Sequence, residues 1–156
     1  MSSEPEPRGR YVGALLRPCW QWVWGRIFTG VVASGYDDLN PAHIGLFRYP
    51  TLDRLRPTEV AEQMQITKQS VNDLLSHLEQ RGYLTREPDP TDGRARIIRL
   101  TTRGRRLEGV INAQARAAEL EIAEHLGPRR FAQLRAALTE FATYAGRDGA
   151  ASSSLR

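Results

Sequence analysis

Cysteine is almost absent from this sequence of 156 residues. The one residue, Cys19, cannot form a disulfide within the chain, which excludes a small secreted scaffold held by disulfides. Long apolar runs are also lacking, because the uncharged stretches 18–25 and 27–36 are shorter than the ~20 residues that cross a bilayer. The first residues are acidic and have no apolar core, so no signal peptide is expected. We therefore expect a soluble cytoplasmic protein that does not contact a membrane.

Patterns that carry catalytic chemistry are missing as well. The sequence has no Gly-rich phosphate loop and no nucleophile paired with a base, and its carboxylates are scattered. His43, His77 and His125 fall on three different predicted helices, and no two of them are three or four residues apart. A structural or solvated role is expected for them, with a metal site assembled across the fold as the alternative. The sequence predicts no enzyme, no cofactor and no metal.

Positive charge is present mainly in one region. The chain has 22 basic and 18 acidic residues, a net charge of +4. Residues 81–106 contain eight arginines against three acidic residues, so this region carries +5 and the remainder sums to −1. Such a basic stripe suits a nucleic-acid surface, because neutralising phosphates releases condensed counterions. The alternative is a solvated charged face without a partner.

Apolar spacing predicts a mostly helical chain with one small hairpin. Steps of three and four, with capping residues, indicate helices over 11–34, from 41 to before 50, from 57, and over 68–81, 103–126 and 128–145. Thr67 is the expected cap of the helix over 68–81, and Gly82 its left-handed stop. Two short strands, 83–87 and 95–100, are joined by a tip rich in Pro, Asp and Gly.

Residues 57–100 thus predict a helix-turn-helix followed by a two-stranded wing. The outer face of its second helix has amide and hydroxyl side chains, which can donate to and accept from base edges in the major groove. The fold class is mainly α with a small β-hairpin: a winged helix-turn-helix flanked by N- and C-terminal dimerisation helices. The predicted function is sequence-specific DNA binding. The alternative is a winged-helix module that binds a protein instead.

Five stretches together carry a family resemblance. They are TEVAE at 58–62, ITKQSV at 66–71, LEQRGYLTR at 78–86, DPTDGRA at 89–95 and LTTRG at 100–104. In this order and spacing they resemble the multiple-antibiotic-resistance regulator (MarR) family. The resemblance implies a homodimeric transcription regulator, expected to repress a pseudopalindromic operator and to be released by an unknown small-molecule or oxidant effector. It also implies a location in the cytoplasm, associated with the nucleoid.

The resemblance also divides the chain. The winged helix-turn-helix is expected over 37–102, the dimerisation helices over 10–36 and 103–146, and flexible tails over 1–9 and 147–156. The expected major-groove residues on and before the recognition helix are Thr67, Lys68, Gln69, Ser70, Asn72, Asp73 and Ser76. The expected wing and backbone contacts to double-stranded DNA are Arg86, Asp92, Arg94, Arg96 and Arg99.

Within these contacts, Gln69 and Asn72 are expected to pair adenine by two hydrogen bonds. In the family the wing arginine enters the minor groove and the acid orients it, which assigns these roles to Arg94 and Asp92. Two residues depart from the family pattern. Arg56 stands where Thr or Ser often caps the helix at Pro57, so a weak helix start is expected. Gly93 replaces a frequent basic residue, which removes one phosphate contact and loosens the tip.

An effector site has two candidates. Trp20 and Trp24 share a helix face and can line a cavity with His43 and Phe47, although packing in the core or at the dimer interface is the favoured interpretation. Cys19 lies on the first helix, which carries an oxidant-sensing cysteine in some family members. Its neighbours are Pro18 and Trp20 rather than a basic cluster, so a small buried side chain is the favoured interpretation.

Overall fold

The computed structural model describes residues 11–47 and 52–153, with side chains to residue 146. The elements are α1 (Val12–Ala33), α2 (Pro41–Leu46), α3 (Pro57–Met64), α4 (Lys68–Gln80), β1 (Leu84–Asp89), β2 (Asp92–Leu100), α5 (Thr102–Leu126) and α6 (Pro128–Ser153). The chain divides into two compact units, residues 1–115 and 116–156. The expected N-terminal tail over 1–9 and the end of the helix before Pro50 lie outside the described residues.

Helix α1 follows the predicted apolar spacing, and Pro18 lies inside it rather than ending it. Ile27 and Val31, in its C-terminal half, are fully buried. The N-terminal half is different, because the large apolar side chains Tyr11, Val12, Leu15, Trp20 and Trp22 are exposed there. Only the second half of α1 therefore belongs to the core of the first unit.

The starts of α2 and α3 are stabilised by local capping. The Asn40 side chain accepts a hydrogen bond from the His43 backbone, and His43 Nδ1 accepts one from the Asn40 backbone. The expected weak start of α3 at Arg56 is wrong. Glu59 Oε2 accepts a hydrogen bond from the Arg56 backbone nitrogen at 2.6 Å, and Pro57 occupies the first helical position.

Helix α4 begins and ends as predicted, within one residue. Thr67 Oγ1 accepts a hydrogen bond from the Ser70 backbone at 3.1 Å, which caps the helix. Gly82 has φ of +73°, a left-handed conformation that glycine adopts without strain. The buried side chains Val71, Leu75 and Leu78 hold the helix against the core.

The hairpin is longer and its turn tighter than predicted. Strand β1 pairs antiparallel with β2 from Leu84 opposite Leu100 to Asp89 opposite Asp92, with a register shift between Pro88 and Asp89. The turn itself is only Pro90–Thr91, whereas the expected tip covered 88–94. Pro88 is tolerated because the irregularity lies at its position in the ladder.

A continuous apolar core joins these elements within the first unit. Its fully buried members include Ile44, Leu52, Val60, Tyr83, Ile98 and Leu107, which come from α2, the segment before α3, α3, the hairpin and α5. The Leu52–Leu55 segment also bonds to β2, since Ile98 accepts from the Arg54 backbone and donates to Leu55. The hairpin is thus anchored to the core along β2, while its tip extends beyond it.

The second unit contains the end of α5 and all of α6. Arg135 and Glu119 approach to 3.8 Å between the two helices. Leu120, Leu134, Leu138, Phe141 and Tyr144 are exposed large apolar side chains in this unit. Helix α6 continues to Ser153, beyond the predicted end at Ala145. None of the helices described in either unit is long and apolar enough to cross a bilayer.

Candidate nucleic-acid interface

The N-terminal end of α4 is open to solvent. Thr67, Lys68, Gln69, Ser70 and Asp73 are all exposed, as the prediction for a recognition helix requires. Gln69 Nε2 donates to Asp73 Oδ1 at 3.1 Å, so the two side chains form one polar ridge one turn apart. This ridge presents the Gln69 carbonyl oxygen and the second Asp73 oxygen as acceptors.

One flank of α4 faces the hairpin rather than solvent. Arg86, on β1, donates to Asn72 Oδ1 at 3.3 Å, to Ser76 Oγ at 2.8 Å and to Glu79 Oε2 at 2.9 and 3.0 Å. The spacing 72, 76 and 79 places the three partners on one side of the helix. Arg86 was predicted as a wing and backbone contact to DNA, and in the structure its guanidinium is bonded to α4 and braces that helix.

Asn72 and Ser76 are consequently half-buried, and each accepts one hydrogen bond from Arg86. The sequence placed both on a freely exposed outer face with Gln69 and Asp73. It missed the brace because the separation between Asn72 and Arg86 depends on the angle at which the hairpin packs on the helix. One signal was available in the sequence. Glu79 lies seven residues before Arg86, and Asp73 is the only other acidic residue in α4.

The other flank of α4 contacts α2. The rings of His77 and His43 stack with centroids 4.0 Å apart and an angle of 8° between their planes. His77 Nε2 lies 3.2 Å from the Asp38 carbonyl oxygen, so this nitrogen carries the proton. Burial lowers the pKa of His43 below its ordinary value, with a further lowering from His77. The sequence placed the two histidines on separate helices but did not predict that they meet.

Asp38 joins three parts of the first unit beside this pair. Its carboxylate accepts a hydrogen bond from Tyr83 Oη at 2.7 Å and pairs with Arg103 at 3.2 Å and with Arg81 at 3.5 Å. The Arg103 guanidinium also lies 4.4 Å from the centroid of the Tyr83 ring. Burial, followed by the hydrogen bond to Asp38, raises the pKa of Tyr83. Two arginines of the basic stripe therefore have structural roles.

The hairpin turn is held by a buried carboxylate. Asp89 Oδ1 accepts hydrogen bonds from the Thr91 backbone at 2.8 Å and from Thr91 Oγ1 at 2.7 Å, while Arg56 Nε donates to Oδ2 at 2.7 Å. These bonds, the Thr91 backbone first, lower the pKa of Asp89 to about 2. Arg56, the departure from the family pattern, thus ties the turn to the start of α3.

The tip of the hairpin presents two exposed arginines, Arg94 and Arg96. Asp92 Oδ1 accepts from the Arg94 backbone nitrogen at 3.1 Å, so it shapes the turn, and no ion pair joins the two side chains in the described structure. Arg96 Nη1 donates weakly to the Arg86 carbonyl oxygen at 3.4 Å. Arg99, by contrast, which was also predicted as a wing and backbone contact, pairs with Glu87 at 3.4 Å and is half-buried.

The expected effector side chains are divided among three surroundings. Trp20 stacks on Trp24, with ring centroids 5.9 Å apart. His43 instead lines a groove with Asn40, Ala42, Ile66, Ser70, Asp73, Leu74 and His77, beside the recognition helix. Phe47 is buried in the core. Cys19 is exposed, so the favoured interpretation of a small buried side chain is wrong.

No cluster of three metal-binding side chains occurs among the residues that the structure describes. His43 and His77 are adjacent, but one ring nitrogen of each is bonded to the backbone. Their geometry is that of a stacked contact between two helices. We assign no metal to it.

Comparisons with known proteins indicate the same winged-helix fold. Residues 38–95 match the MarR family. A MarR-family transcriptional regulator from Rhodococcus sp. RHA1 is similar in structure, with a TM-score of 0.69 and 24% identity, over 88% of this chain and 98% of that one. CouR from Rhodococcus jostii RHA1, solved with p-coumaroyl-CoA, gives 0.69 and 25% over 88% and 96%.

The transcriptional repressor CouR, solved on a 23-mer DNA duplex, has a TM-score of 0.68 and 23% identity, over 91% of this chain and 99% of that one. A search of curated proteins found no match. The predicted fold class and the resemblance to the MarR family are confirmed.

Proposed function

We propose that this chain, whose winged-helix core is that of the MarR family of transcription regulators, binds double-stranded DNA sequence-specifically as a homodimer and represses a pseudopalindromic operator. The observation that carries the proposal is the exposed start of α4, with Lys68, Gln69 and Ser70, on the same hairpin-braced domain as the arginine tip. Such a domain can place α4 in the major groove and the tip at the minor groove.

The two regions contribute in different ways. Gln69 and Asp73 offer acceptors towards base edges, which suits sequence readout. Arg94 and Arg96 offer charge on a narrow turn, which suits the negative potential of a minor groove ~6 Å wide. The winged helix over 37–102 therefore supplies both specificity and affinity. Its working location is the cytoplasm, on the nucleoid.

Dimerisation is supported by apolar side chains that each unit leaves exposed. Those of α1 include Tyr11 at 77% and Leu15 at 55%, and those of α6 include Phe141 at 52% and Tyr144 at 63%. Soluble monomers rarely expose so many large apolar side chains, so a second copy is the natural cover. We assign this role to helices within 10–36 and 103–146. Sedimentation of a folded monomer at micromolar concentration would contradict it.

An effector completes the proposal. CouR, solved with p-coumaroyl-CoA and separately on DNA, is the precedent for a family member that binds both. In this chain the proposed small-molecule contacts are the Trp20 and Trp24 pair and, in a separate groove, His43, with Phe47 buried in the core nearby in sequence; exposed Cys19 is the alternative, oxidant-sensitive site. Release of DNA by an added ligand distinguishes the first, and release by peroxide that Cys19→Ser abolishes distinguishes the second.

Selection of genomic fragments by the purified protein tests the proposal directly. Recovery of a pseudopalindrome, bound more tightly than scrambled DNA, is the expected result, because a two-fold symmetric dimer reads two half-sites. A chain that selects no sequence does not have this function. Affinity for DNA should also fall steeply with salt, by about 0.9 in log K per log salt for each phosphate neutralised.

The alternative function is a winged helix that binds a protein partner. The paired arginines favour it to a degree, because Arg81, Arg86, Arg99, Arg103 and Arg105 are each bound to an acidic side chain. Much of the basic stripe is thereby neutralised within the fold. Absence of a salt-dependent affinity for DNA would select this alternative.

A further inference from the structure

We infer that Arg86 determines which base edge Asn72 reads, by fixing the orientation of the Asn72 side-chain amide. Arg86 is then a positioning residue, and Asn72 is the residue that contacts the base. The inference deepens the proposed DNA binding and rests on it. It also replaces the expectation that Asn72 pairs adenine through two hydrogen bonds.

The Arg86 guanidinium is held firmly enough to orient a neighbour. Both Nε and Nη2 donate to one oxygen of Glu79, and the other oxygen of Glu79 accepts from the Arg86 backbone at 3.2 Å. Nη2 also donates to Ser76 Oγ. The Arg86 side chain is only 24% exposed. Because the planar fork is fixed by these bonds, Nη1 points to a single place, where Asn72 Oδ1 lies.

This contact gives the Asn72 amide a direction. Its carbonyl oxygen faces a guanidinium, and the reverse orientation would set two donors against each other, with the amide NH₂ facing Nη1. The NH₂ group is therefore the end that remains available to DNA. A two-bond pair with adenine needs Oδ1 to accept from the adenine amino group, and that group would have to approach an oxygen already bonded to the positive Arg86.

Because Oδ1 is already bonded to Arg86, whereas no bond of the Asn72 NH₂ group occurs in the described structure, Asn72 favours an edge with acceptors. In the major groove guanine offers N7 and O6, and thymine offers O4. We expect Asn72 to prefer these edges to adenine at the position that it contacts. Gln69 is set in the opposite sense, because its amide nitrogen donates to Asp73 and leaves the carbonyl oxygen outward. Gln69 and Asn72 thus present opposite polarities, which the amino-acid types alone do not reveal.

Binding to a library of randomised DNA duplexes tests this inference, with the full chain, four single variants and one double variant. Asn72→Ala identifies the base pair that Asn72 reads, as the position where preference is lost. Arg86→Lys keeps the charge and can keep the pair with Glu79, but it cannot reach Asn72 and Ser76 with a fork. Arg105→Lys is the matched control, since Arg105 pairs with Asp53 and does not contact α4. Asn72→Asp is nearly isosteric and retains an acceptor for Arg86.

The expected result is a preference for guanine or thymine over adenine at that position in the parent, by about tenfold, which corresponds to about 1.4 kcal/mol. Arg86→Lys should reduce this factor to about threefold or less, with unchanged affinity for random DNA and an unchanged salt slope. Adding Asn72→Ala to Arg86→Lys should remove only the preference that remains, so Asn72→Ala should have a smaller effect in this variant than in the parent. Arg105→Lys should preserve the full preference. Asn72→Asp should move the preference to bases with an amino donor, cytosine or adenine.

Three results would overturn the inference. One is a parent that prefers adenine at the Asn72 position. Another is an Arg86→Lys variant with the parental preference. The third is an Arg86→Lys variant that weakens every position alike with a lower thermal midpoint, since Arg86 would then be only structural. A parent without any sequence preference would instead refute the proposed function, and the inference with it, so the two failures are distinct.

Discussion

The recognition helix and the hairpin tip both carry polar side chains, but several of those on the helix are held by internal hydrogen bonds, whereas the arginines of the tip are exposed. Helix α4 is braced on one flank by Arg86 and contacts His43 through His77 on the other. The tip leaves Arg94 and Arg96 exposed, and only the backbone of the turn is fixed, by Asp92 and by Asp89. The same residue type, arginine, is thus a structural brace at the base of the hairpin and an exposed charge at its tip.

The difference separates two tasks that DNA recognition requires. Base edges are discriminated only by donors and acceptors held in fixed directions, so the reading helix gains from internal bonds. Phosphates and a narrow groove attract charge without demanding a direction, so the tip needs no brace. We expect changes at the base to alter folding or base preference, and changes at the tip to alter affinity alone.

The largest effect is expected at the foot of the hairpin. Gly104 is buried, and a Cβ there would collide with the Tyr83 carbonyl oxygen, one residue before β1. Gly104→Ala should lower the free energy of unfolding by about 3 kcal/mol, because a backbone atom must move. Gly109→Ala in the same helix has open space around it and should raise stability by up to about 1 kcal/mol. Urea unfolding measures both, and equal effects would contradict this close packing.

The next effect is expected at the tip. Arg94→Ala should weaken binding to all DNA sequences and reduce the salt slope by about 0.9 per subunit, without a change in thermal midpoint. Arg116→Ala removes the same charge from an exposed position on α5, outside the winged helix, and should have little effect. If both variants lose affinity equally, net charge and not the tip determines binding.

A pH effect is expected where α2 meets α4. The pKa of His43 is lowered in the folded state, whereas the unfolded chain has the ordinary histidine pKa of about 6.5. Below that pH the unfolded chain therefore binds a proton at His43 more readily than the folded chain does. The free energy of unfolding should therefore be constant above that pH and fall as the pH drops below it. Asp53 and Asp89, whose pKa values are also lowered, lose their contribution only below about pH 4.

Urea unfolding at about pH 7.5 and about pH 5.5 measures this loss. His43→Gln should reduce the difference between the two free energies, because it removes the imidazole that takes up the proton. The variant should still fold, since glutamine is accepted at this position of a capping box. His125→Gln, at an exposed histidine on α5, is the control and should leave the difference unchanged. An unchanged difference in His43→Gln would show that protonation elsewhere controls stability in acid.

The smallest effect is expected for Asp92→Ala. Asp92 shapes the turn through one hydrogen bond to the Arg94 backbone and does not hold the guanidinium. Its loss should weaken DNA binding less than Arg94→Ala and leave the salt slope almost unchanged, because no positive charge is removed. A loss equal to that of Arg94→Ala would mean that the two side chains pair on DNA.

Local interactions explain why much of the fold was predictable from the sequence. The cap at Thr67, the stop at Gly82 and the apolar stripes act between residues at most four apart, and all were found where expected. The contacts that were missed join distant residues. The weak helix start expected at Arg56 was a misjudged local cap, because Glu59 is only three residues away, but the bond from Arg56 to Asp89 joins positions 33 residues apart.

The site follows the same division. The position of the candidate site along the chain could be predicted from the sequence alone. Local periodicity indicates the amphipathic helix with its polar face, and turn residues indicate the arginine-bearing turn. Which of its side chains are free was decided by the tertiary structure. The packing of β1 against α4 brings Arg86 to Asn72, and the packing of α2 brings His43 to His77. The residue type determines which donors and acceptors a side chain has, but the neighbours brought together by folding determine which of them remain available.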